Sequence, residues 1–595
     1  MKRLFLLLLS LSLFLCSCGK RSATDPTVPQ GAPVSPEAVI IDPNEQFSEK
    51  DVQTSHENSV TVQLSGTSAS CNDPGVHVEA SAVTIRSEGS YVLTGSFQGQ
   101  VIIEAGDSAD IHLVLQNAHI STQNHAALWI KDADKIVLTL EGTNSIKSTG
   151  TLPPSADSNV DGAIFSKADL SLNGEGSLEI QSPNHGMVCK KDLIFTGGSY
   201  AVTSGKHAIS SKDSLRIAAG TFSLLSEGDG IHVENDEEAD RGYLYIQDGS
   251  FHIDAQWDGL SASNSLQIDG GTYAIQCGGG SANAPAHTEA FPGGWNSGSS
   301  QSTTDTVSTK GLKTEAELQI RGGNFQINAA DDGLHGKGNV TIVDGNLEIE
   351  SGDDGIHSDV LLQIQGGNLL IKKSYEGLEG HQILIQGGTI DLTASDDGLN
   401  AAGGNDGSGY SRNDMFANDT EAYIQIDGGY LHVNASGDGI DSNGAILING
   451  GETYVSGPTN GGNGALDYGG EATVTGGIFL AAGSSGMATG FGSNSTQGAI
   501  FVTYSTQSAG STISLKNSEG TEIFSWTTEK DSGSIVLSCP GIQQGQTYDL
   551  TVGQINGQIT MTNIIYGQSS GGPGGGPGGP GGQPPGGQPG GRPGR

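Results

Sequence analysis

A short acidic motif recurs through the middle of this chain: an acid, a glycine, an apolar residue, then His, Glu, Asn or Asp. It reads Asp332-Gly-Leu-His335, Asp354-Gly-Ile-His357, Glu376-Gly-Leu-Glu379, Asp397-Gly-Leu-Asn400 and Asp438-Gly-Ile-Asp441. Carboxylates repeated at a fixed period collect in columns when the repeats stack. At the strand spacing of about 4.8 Å, two neighbouring carboxylates repel by about 3–4 kcal/mol at an effective dielectric near 20. Such a column needs a neutralising partner. Ca²⁺ suits it, because it takes about six to eight oxygen ligands in flexible geometry. The candidate ligands are Asp332, Asp354, Glu376, Glu379, Asp397, Asp438 and Asp441. An acid at the first position of one repeat could share an ion with Glu379, Asn400 or Asp441 at the last position of another. The plainer alternative is that these acids cap turns by accepting hydrogen bonds from backbone amides.

Other residue types interrupt the columns. Lys310 and Lys313 replace acids within one repeat, between Asp258 and Asp332. A lysine beside a cation is the equipment of β-elimination on a uronate, where the amine removes a proton that the metal acidifies. Amid carboxylates, however, the ammonium form is favoured, and charge compensation is the preferred reading. His232, His335 and His357 suggest zinc ligands, but a stacked polar ladder accounts for them more simply, and no His-Glu-x-x-His helix accompanies them. Asp331-Asp332 and Asp396-Asp397 superficially resemble a glycosidase pair, yet they recur as punctuation and single out no one site. Aromatic platforms for sugar rings are available in Trp257 and Tyr375, just before the acid of their repeats, and in Trp295 and Tyr410 within insertions. Exposed aromatics on loops over a rigid scaffold are reasonable binding elements, although each could equally pack its own loop down.

The apolar members Leu334, Ile356, Leu378 and Leu399 lie 22, 22 and 21 residues apart. A period of this size is the signature of a solenoid. Aligned anchors run Ile164, Met187, Ile209, Ile231, Leu260, Leu312, Leu334, Ile356, Leu378, Leu399, Ile440, Leu466 and Met487, with insertions at 234–242, 279–309 and 401–420. Between anchors, alternating strands flank a Gly-Gly turn, as in Leu318-Gln-Ile-Arg-Gly-Gly-Asn-Phe-Gln-Ile327. Period-2 alternation at about 22 residues per coil predicts an all-β fold, a parallel β-helix. Each coil buries its apolar face only against its neighbours, and the open ends need caps.

The chain opens with Lys2-Arg3, an apolar run from Leu4 to Leu15, and Leu15-Cys16-Ser17-Cys18-Gly19. This is an export signal, and its ending resembles a bacterial lipoprotein signal with Cys18 as the lipidated residue. The expected layout is a signal peptide over 1–17, a flexible Pro/Ser/Thr-rich tether over 18–54, and an N-terminal β cap or first coils over 55–150. Parallel β-helix repeats then fill 151–495, a small sandwich-like β domain 496–567, and a disordered Gly/Pro-rich tail 568–595. The remaining Cys71, Cys189, Cys277 and Cys539 are scattered and form neither a zinc nor a redox motif. Acids outnumber bases 66 to 27, and loss of Lys2 and Arg3 takes the net charge from −39 to −41. That balance excludes nucleic acid as a partner and suits cations, or polyanions that cations bridge.

Four segments carry a family likeness: Lys373-Ser-Tyr-Glu-Gly-Leu-Glu-Gly380, Thr309-Lys-Gly-Leu-Lys313, Ser351-Gly-Asp-Asp-Gly-Ile-His357 and Asn463-Gly-Ala-Leu-Asp467. Over roughly 55–565 the chain resembles bacterial exported carbohydrate-binding proteins typified by a clostridial cellulose- and pectin-binding protein. The resemblance implies a right-handed parallel β-helix similar to family 9 polysaccharide lyases, Ca²⁺ between coils, and binding of cellulose and acidic pectin without cleavage. The expected protein is therefore a monomeric, non-catalytic, Ca²⁺-dependent polysaccharide-binding lipoprotein of the bacterial cell surface or envelope. The alternatives are a pectate-type lyase using Lys310 or Lys313, and a structural surface or adhesion protein.

Overall fold

The computed structural model describes residues 38–150, 160–285, 307–401 and 419–567. Among these residues there is no α-helix, only a 3-10 turn at Pro43–Glu45, and one large sheet takes in most of the strands. Its commonest pairing is parallel, from one strand to the third after it, and becomes the second after it where a long strand such as Ile356–Ile364 or Leu378–Ile385 serves two ladders at once. Three ladders result. The first runs through Gly162–Ser166, His185–Cys189, Ile209–Ser211 and so on to Asp467–Tyr468. The second includes Asp169–Gly174, Asp192–Phe195 and Ser214–Ile217, and the third Ser177–Ser182, Ser199–Ser204 and Thr221–Ser226.

Alternation decides what is buried. In the third ladder Phe222 and Leu224 point inward while Thr221 and Ser223 face solvent, a pattern that repeats in the strands above it. The inward rings of Tyr200, Phe222, Phe251, Tyr273 and Phe325 lie directly over one another, with centroids 4.4–5.1 Å apart and planes within 17°. The anchors of the first ladder pair in order from Ile164 to Ile440, and the register Asp441↔Asp467 sets Leu466 opposite Ile440. Leu260 pairs directly with Leu312, so the long insertion between them leaves the ladder intact. Met487 differs. It lies in no strand and is 47% exposed, because the chain has by then left the repeat and antiparallel strand Ser532–Ser538 closes on Ile478–Gly483.

Both ends of the large sheet are modified. The first ladder starts earlier than the motif, at Ala82–Ile85, and continues through Gln100–Glu104 and Leu128–Asp132 into Gly162–Ser166. Antiparallel strand Val76–Glu79 covers its outer edge. At the other end Thr512–Asn517, Glu522–Thr527, Thr547–Val552 and Ile555–Thr560 form a four-stranded antiparallel sheet. It encloses a second core of Leu480, Ile500, Ile513, Leu515, Leu537 and Leu550 against the large sheet.

Residues 38–54 differ from the flexible tether expected over 18–54. They lie along the outside of the second ladder: Val39 N–H donates to Asn264, Arg216 to the Gln46 carbonyl and Thr196 to the Asp51 carbonyl. Asp51 is buried and accepts from Lys135 at 2.5 Å and Ser171 at 2.6 Å. Burial alone would raise its carboxyl, but these donors and Ser48 bring it down to about 2. Cys18, Trp295, Tyr410 and the tail 568–595 lie outside the described residues.

The glycine of the acidic motif has a steric cause. A Cβ on Gly355 would stand 2.5 Å from the Gly377 carbonyl of the next coil and 2.7 Å from Ile371. Gly355→Ala is therefore expected to destabilise by about 1–3 kcal/mol through overpacking, read as a lower urea midpoint. Gly461→Ala, at a position open within 4 Å, is expected to stay within about 0.5 kcal/mol.

Candidate metal and glycan site

The motif lies on the first ladder, and its in-register strands build two side-chain columns. Two residues before the anchors stand His185, His207, Asp229, Asp258, Lys310, Asp332, Asp354, Glu376, Asp397 and Asp438. One residue after them stand His232, Ser261, Lys313, His335, His357, Glu379, Asn400, Asp441 and Asp467. Sequence analysis missed His185 and His207. The signal was present, because they sit two residues before Met187 and Ile209, both already recognised as anchors.

The carboxylates divide their two oxygens between two tasks. One oxygen accepts the backbone N–H of the next coil: Asp229 from Asp258 at 3.0 Å, Asp258 from Lys310 at 2.8 Å, Asp332 from Asp354 at 3.1 Å. Asp397 does so from Asp438, and Asp438 from Gly464, each at 2.5 Å. These acids cap turns, as the plainer alternative holds. The second oxygen is then left to be neutralised.

Through the coils from Asp229 to Asp354, side-chain bases do this. His232 Nδ1 lies 2.6 Å from Asp229, and the acids Asp229 and Glu234 outweigh burial to raise its pKa to about 9. The Lys310 ammonium, 6% exposed, bonds Asp332 at 2.5 Å and Asp331 at 3.0 Å. Asp332 is fully buried, and burial would raise its carboxyl, yet Lys310 and His335 hold it well below the usual range. Lys313 reaches within 3.7 Å of both Asp258 and Glu315. His357 is held between Asp354 at 3.0 Å and Glu379 at 2.5 Å. Burial opposes its charge, but these acids raise it well above the ordinary imidazole value and lower Glu379 in turn. Asp354 is pushed up, first by burial and then by Glu379.

His207 with Asp229 and His232, Asp332 with His335 and His357, and Asp354 with His357 and Glu379 each bring ligand atoms within 4.8 Å of one another, but the stacked histidine pairs are poorly set to share one zinc ion. His207 and His232 stack at 4.3 Å with planes 4° apart, and His335 and His357 at 4.6 Å and 9°. Parallel imidazoles at that separation send their lone pairs side by side, whereas a tetrahedral ion needs them to converge. His207 Nδ1 moreover accepts the Asp229 backbone N–H at 2.9 Å.

Beyond His357 the bases stop. Glu376, Asp397, Asp438, Asp441 and Asp467 follow, and among the described residues no lysine, arginine or histidine forms an ion pair with them. Asp397, Asp438 and Asp441 bring oxygen atoms within 4.8 Å of one another. Burial, then neighbouring acids, drives Glu376 and Asp397 far upward. Asp438 rises to about 7, mainly by burial, and Asp441 to about 8, by burial and then Asp438. Asn400 donates to Glu376 at 2.8 Å, while its own buried Oδ1 meets no hydrogen-bond donor among the described residues. An all-oxygen donor set with a surplus acceptor suits a hard divalent cation such as Ca²⁺.

Of the aromatics proposed for sugar stacking, Trp257 is 40% exposed and meets His207 edge-on at 5.4 Å. Tyr375 is half-buried, with its N–H donating to the Asp353 carbonyl at 2.8 Å. Four coils separate their positions, about 19 Å along the ladder. Both flank the columns.

Known proteins resemble this chain over much of its length. A family model described as carbohydrate-binding domain-containing protein matches residues 79–355 and 353–558. A protein of that description from Acetivibrio thermocellus is 26% identical over 178 residues, which are 29% of this chain and 62% of the relative. A solved polysaccharide lyase-like protein from C. thermocellum, a gadolinium derivative, is similar over 51% of this chain and 96% of its own at 19% identity, with a TM-score of 0.34. The family model spans most of the described coils, including both the base-neutralised and the base-free halves of the columns, and this chain belongs to the carbohydrate-binding domain-containing protein family.

Proposed function

We propose that this protein is an exported, lipid-anchored module that binds cell-wall polysaccharide with the help of Ca²⁺ and does not cleave it. In this reading the three ladders wind as a right-handed parallel β-helix of about 22 residues per coil, and the small second sheet forms a sandwich-like cap. Cys18 carries the lipid, and the monomer works at the cell surface or envelope on cellulose- or polygalacturonate-like chains.

The base-free stretch of the columns carries the metal reading. Glu376, Asp397, Asn400, Asp438 and Asp441 would hold the ion, with the buried Asn400 Oδ1 as the observation that most needs a cation. Asp332, Asp354 and Glu379, the other expected ligands, already have Lys310, His335 and His357 beside them. A bound Ca²⁺ supplies positive charge that an acidic glycan can meet on an otherwise acidic protein. Trp257 and Tyr375 supply faces for sugar rings. The lyase alternative is weakened at Lys310, whose ammonium is buried between two carboxylates and so has no free pair to take a proton.

Four measurements test this. Calcium titration of the protein is expected to saturate, with ion at about 100 times its Kd adding about 2.7 kcal/mol of stability. Asp441→Asn is expected to weaken Ca²⁺ by on the order of tenfold or more; unchanged affinity overturns the assignment. The pH dependence has a definite sign. Asp438 and Asp441 titrate near 7 and 8 folded against about 3.9 unfolded, so the folded state binds more protons. With chelator, their contribution is complete below about pH 4 and is lost as pH rises through 8. Calcium is expected to remove most of that loss, so the gap in melting temperature between calcium and chelator should widen from pH 5 to 8. Finally, polygalacturonate incubated with protein and Ca²⁺ should bind without gaining the ultraviolet absorbance of unsaturated products. Growth of that absorbance makes the protein a lyase, and failure to bind any polysaccharide leaves the structural or adhesion role.

A further inference from the structure

We propose that the outer face of the third ladder is a track for an uncharged polysaccharide chain lying along the ladder. This rests on the carbohydrate-binding reading above and adds a location and a charge class, separate from the acidic columns of the first ladder.

The first outward position of each third-ladder strand stacks in register through nine consecutive strands, from Ser177 to Thr389. Every one of the nine is Ser, Thr or Asn. In a chain with 66 acids, an unbroken uncharged column is not the default surface. At its centre the amides are ordered: Asn346 donates to Asn324 at 2.9 Å, and Asn368 to Asn346 at 2.8 Å. Each amide has two N–H donors and two acceptor lone pairs. The ladder engages one donor and one acceptor of Asn346, and the rest of this exposed group faces solvent at strand spacing. A groove of about 650 Å³ runs over these strands from Ser250 to Thr389, with Ala274 and Leu370 beside the amides. Leu370 is 38% exposed on the outer face.

This lining has the two characters of a sugar ring, whose edge is hydroxyl and whose face is C–H. The charges bordering the groove do not favour an anionic chain. Glu348 pairs with Lys372 and Asp391 lies 2.8 Å from His432; among the described residues the groove thus presents two acids against one unpaired basic side chain, the exposed His252. Past Thr389 the same column continues in Tyr430, 41% exposed. Its ring lies 5.8 Å from Tyr454, which in turn lies 6.0 Å and 12° from Trp526. The amide track thus runs into aromatic faces, the other common means of holding a neutral sugar. A site repeated coil after coil acts by multivalency, so affinity should climb with ligand length.

The test is calorimetric titration of the full chain with soluble, uncharged β-glucan oligomers of increasing length, and with oligogalacturonate, each with Ca²⁺ and with chelator. The intact protein is expected to bind the uncharged oligomers more tightly as they lengthen, with or without chelator. Asn346→Ala is expected to weaken this by about five- to tenfold, the value of roughly one hydrogen bond. Leu370→Lys, which sets an ammonium between Glu348 and Asp391 in register and so keeps the strand tolerable, should weaken it independently. Uncharged-oligomer binding that neither variant alters overturns the track. So does binding confined to oligogalacturonate with Ca²⁺, which leaves the calcium-dependent reading intact. Binding of neither glycan removes both.

Discussion

In-register parallel stacking is the constraint on which the rest of this molecule depends. It sets each side chain over its equivalent in the next coil, at the spacing of hydrogen-bonded strands. For apolar residues the repetition is favourable, as in the near-parallel rings from Tyr200 to Phe325. For carboxylates it is costly, since a column of like charges is built by the same rule. The capping bonds explain why the acids persist. Asp229, Asp258, Asp332, Asp397 and Asp438 each satisfy a backbone N–H of the following coil, which a buried backbone donor requires. An aliphatic residue there would leave that amide without a partner. The acid is thus required structurally, and its second oxygen creates the electrostatic problem that the site chemistry answers.

Two answers occur in one ladder. The coils from Asp229 to Asp354 use lysine and histidine, so the charge is balanced within the chain and fixed at folding. Lys310 illustrates the cost of altering that balance: removing one member of a buried ion pair leaves the other uncompensated, typically at about 3–5 kcal/mol. The coils from Glu376 to Asp467 carry no such base among the described residues, and burial with neighbouring acids pushes their carboxyls upward instead. A group that must shed a proton to become charged is one whose state the surroundings can set.

Much of this was legible in the sequence, because in-register parallel stacking turns three-dimensional proximity into a fixed arithmetic interval. Adding 22 residues to Leu334 finds Ile356, and the register confirms the pair. The same arithmetic reached Leu466 across insertions and would have reached His185 and His207 had it been applied outward from the anchors. It failed at Met487, where hydrophobic type and spacing still fit but the strand to be paired no longer exists. It could not see residues 38–54 on the second ladder, since Asp51 and Lys135 are 84 residues apart and belong to no repeat. Nor could it apportion the acids. The motif does show His335 and His357 giving way to Glu379, Asn400 and Asp441, but which carboxylate meets Lys310 depends on side-chain reach between neighbouring strands.

The outer faces follow from the same periodicity with opposite consequences. An inward position is constrained by packing, so its volume must fit: Gly355 has no room for a methyl group between the Gly377 carbonyl and Ile371. An outward position has no such demand, and Ser, Thr, Asn, Asp or Lys would all be tolerated there by a parallel strand. Uniform character along an outward column therefore carries information that uniform character along an inward one does not. The first ladder's columns are mixed, with acids, lysines and histidines that are largely buried, and turn capping accounts for the acids among them. On the third ladder, nine strands of Ser, Thr and Asn are explained by neither packing nor capping. What all nine have in common is the ability to exchange hydrogen bonds with a hydroxylated chain without repelling it.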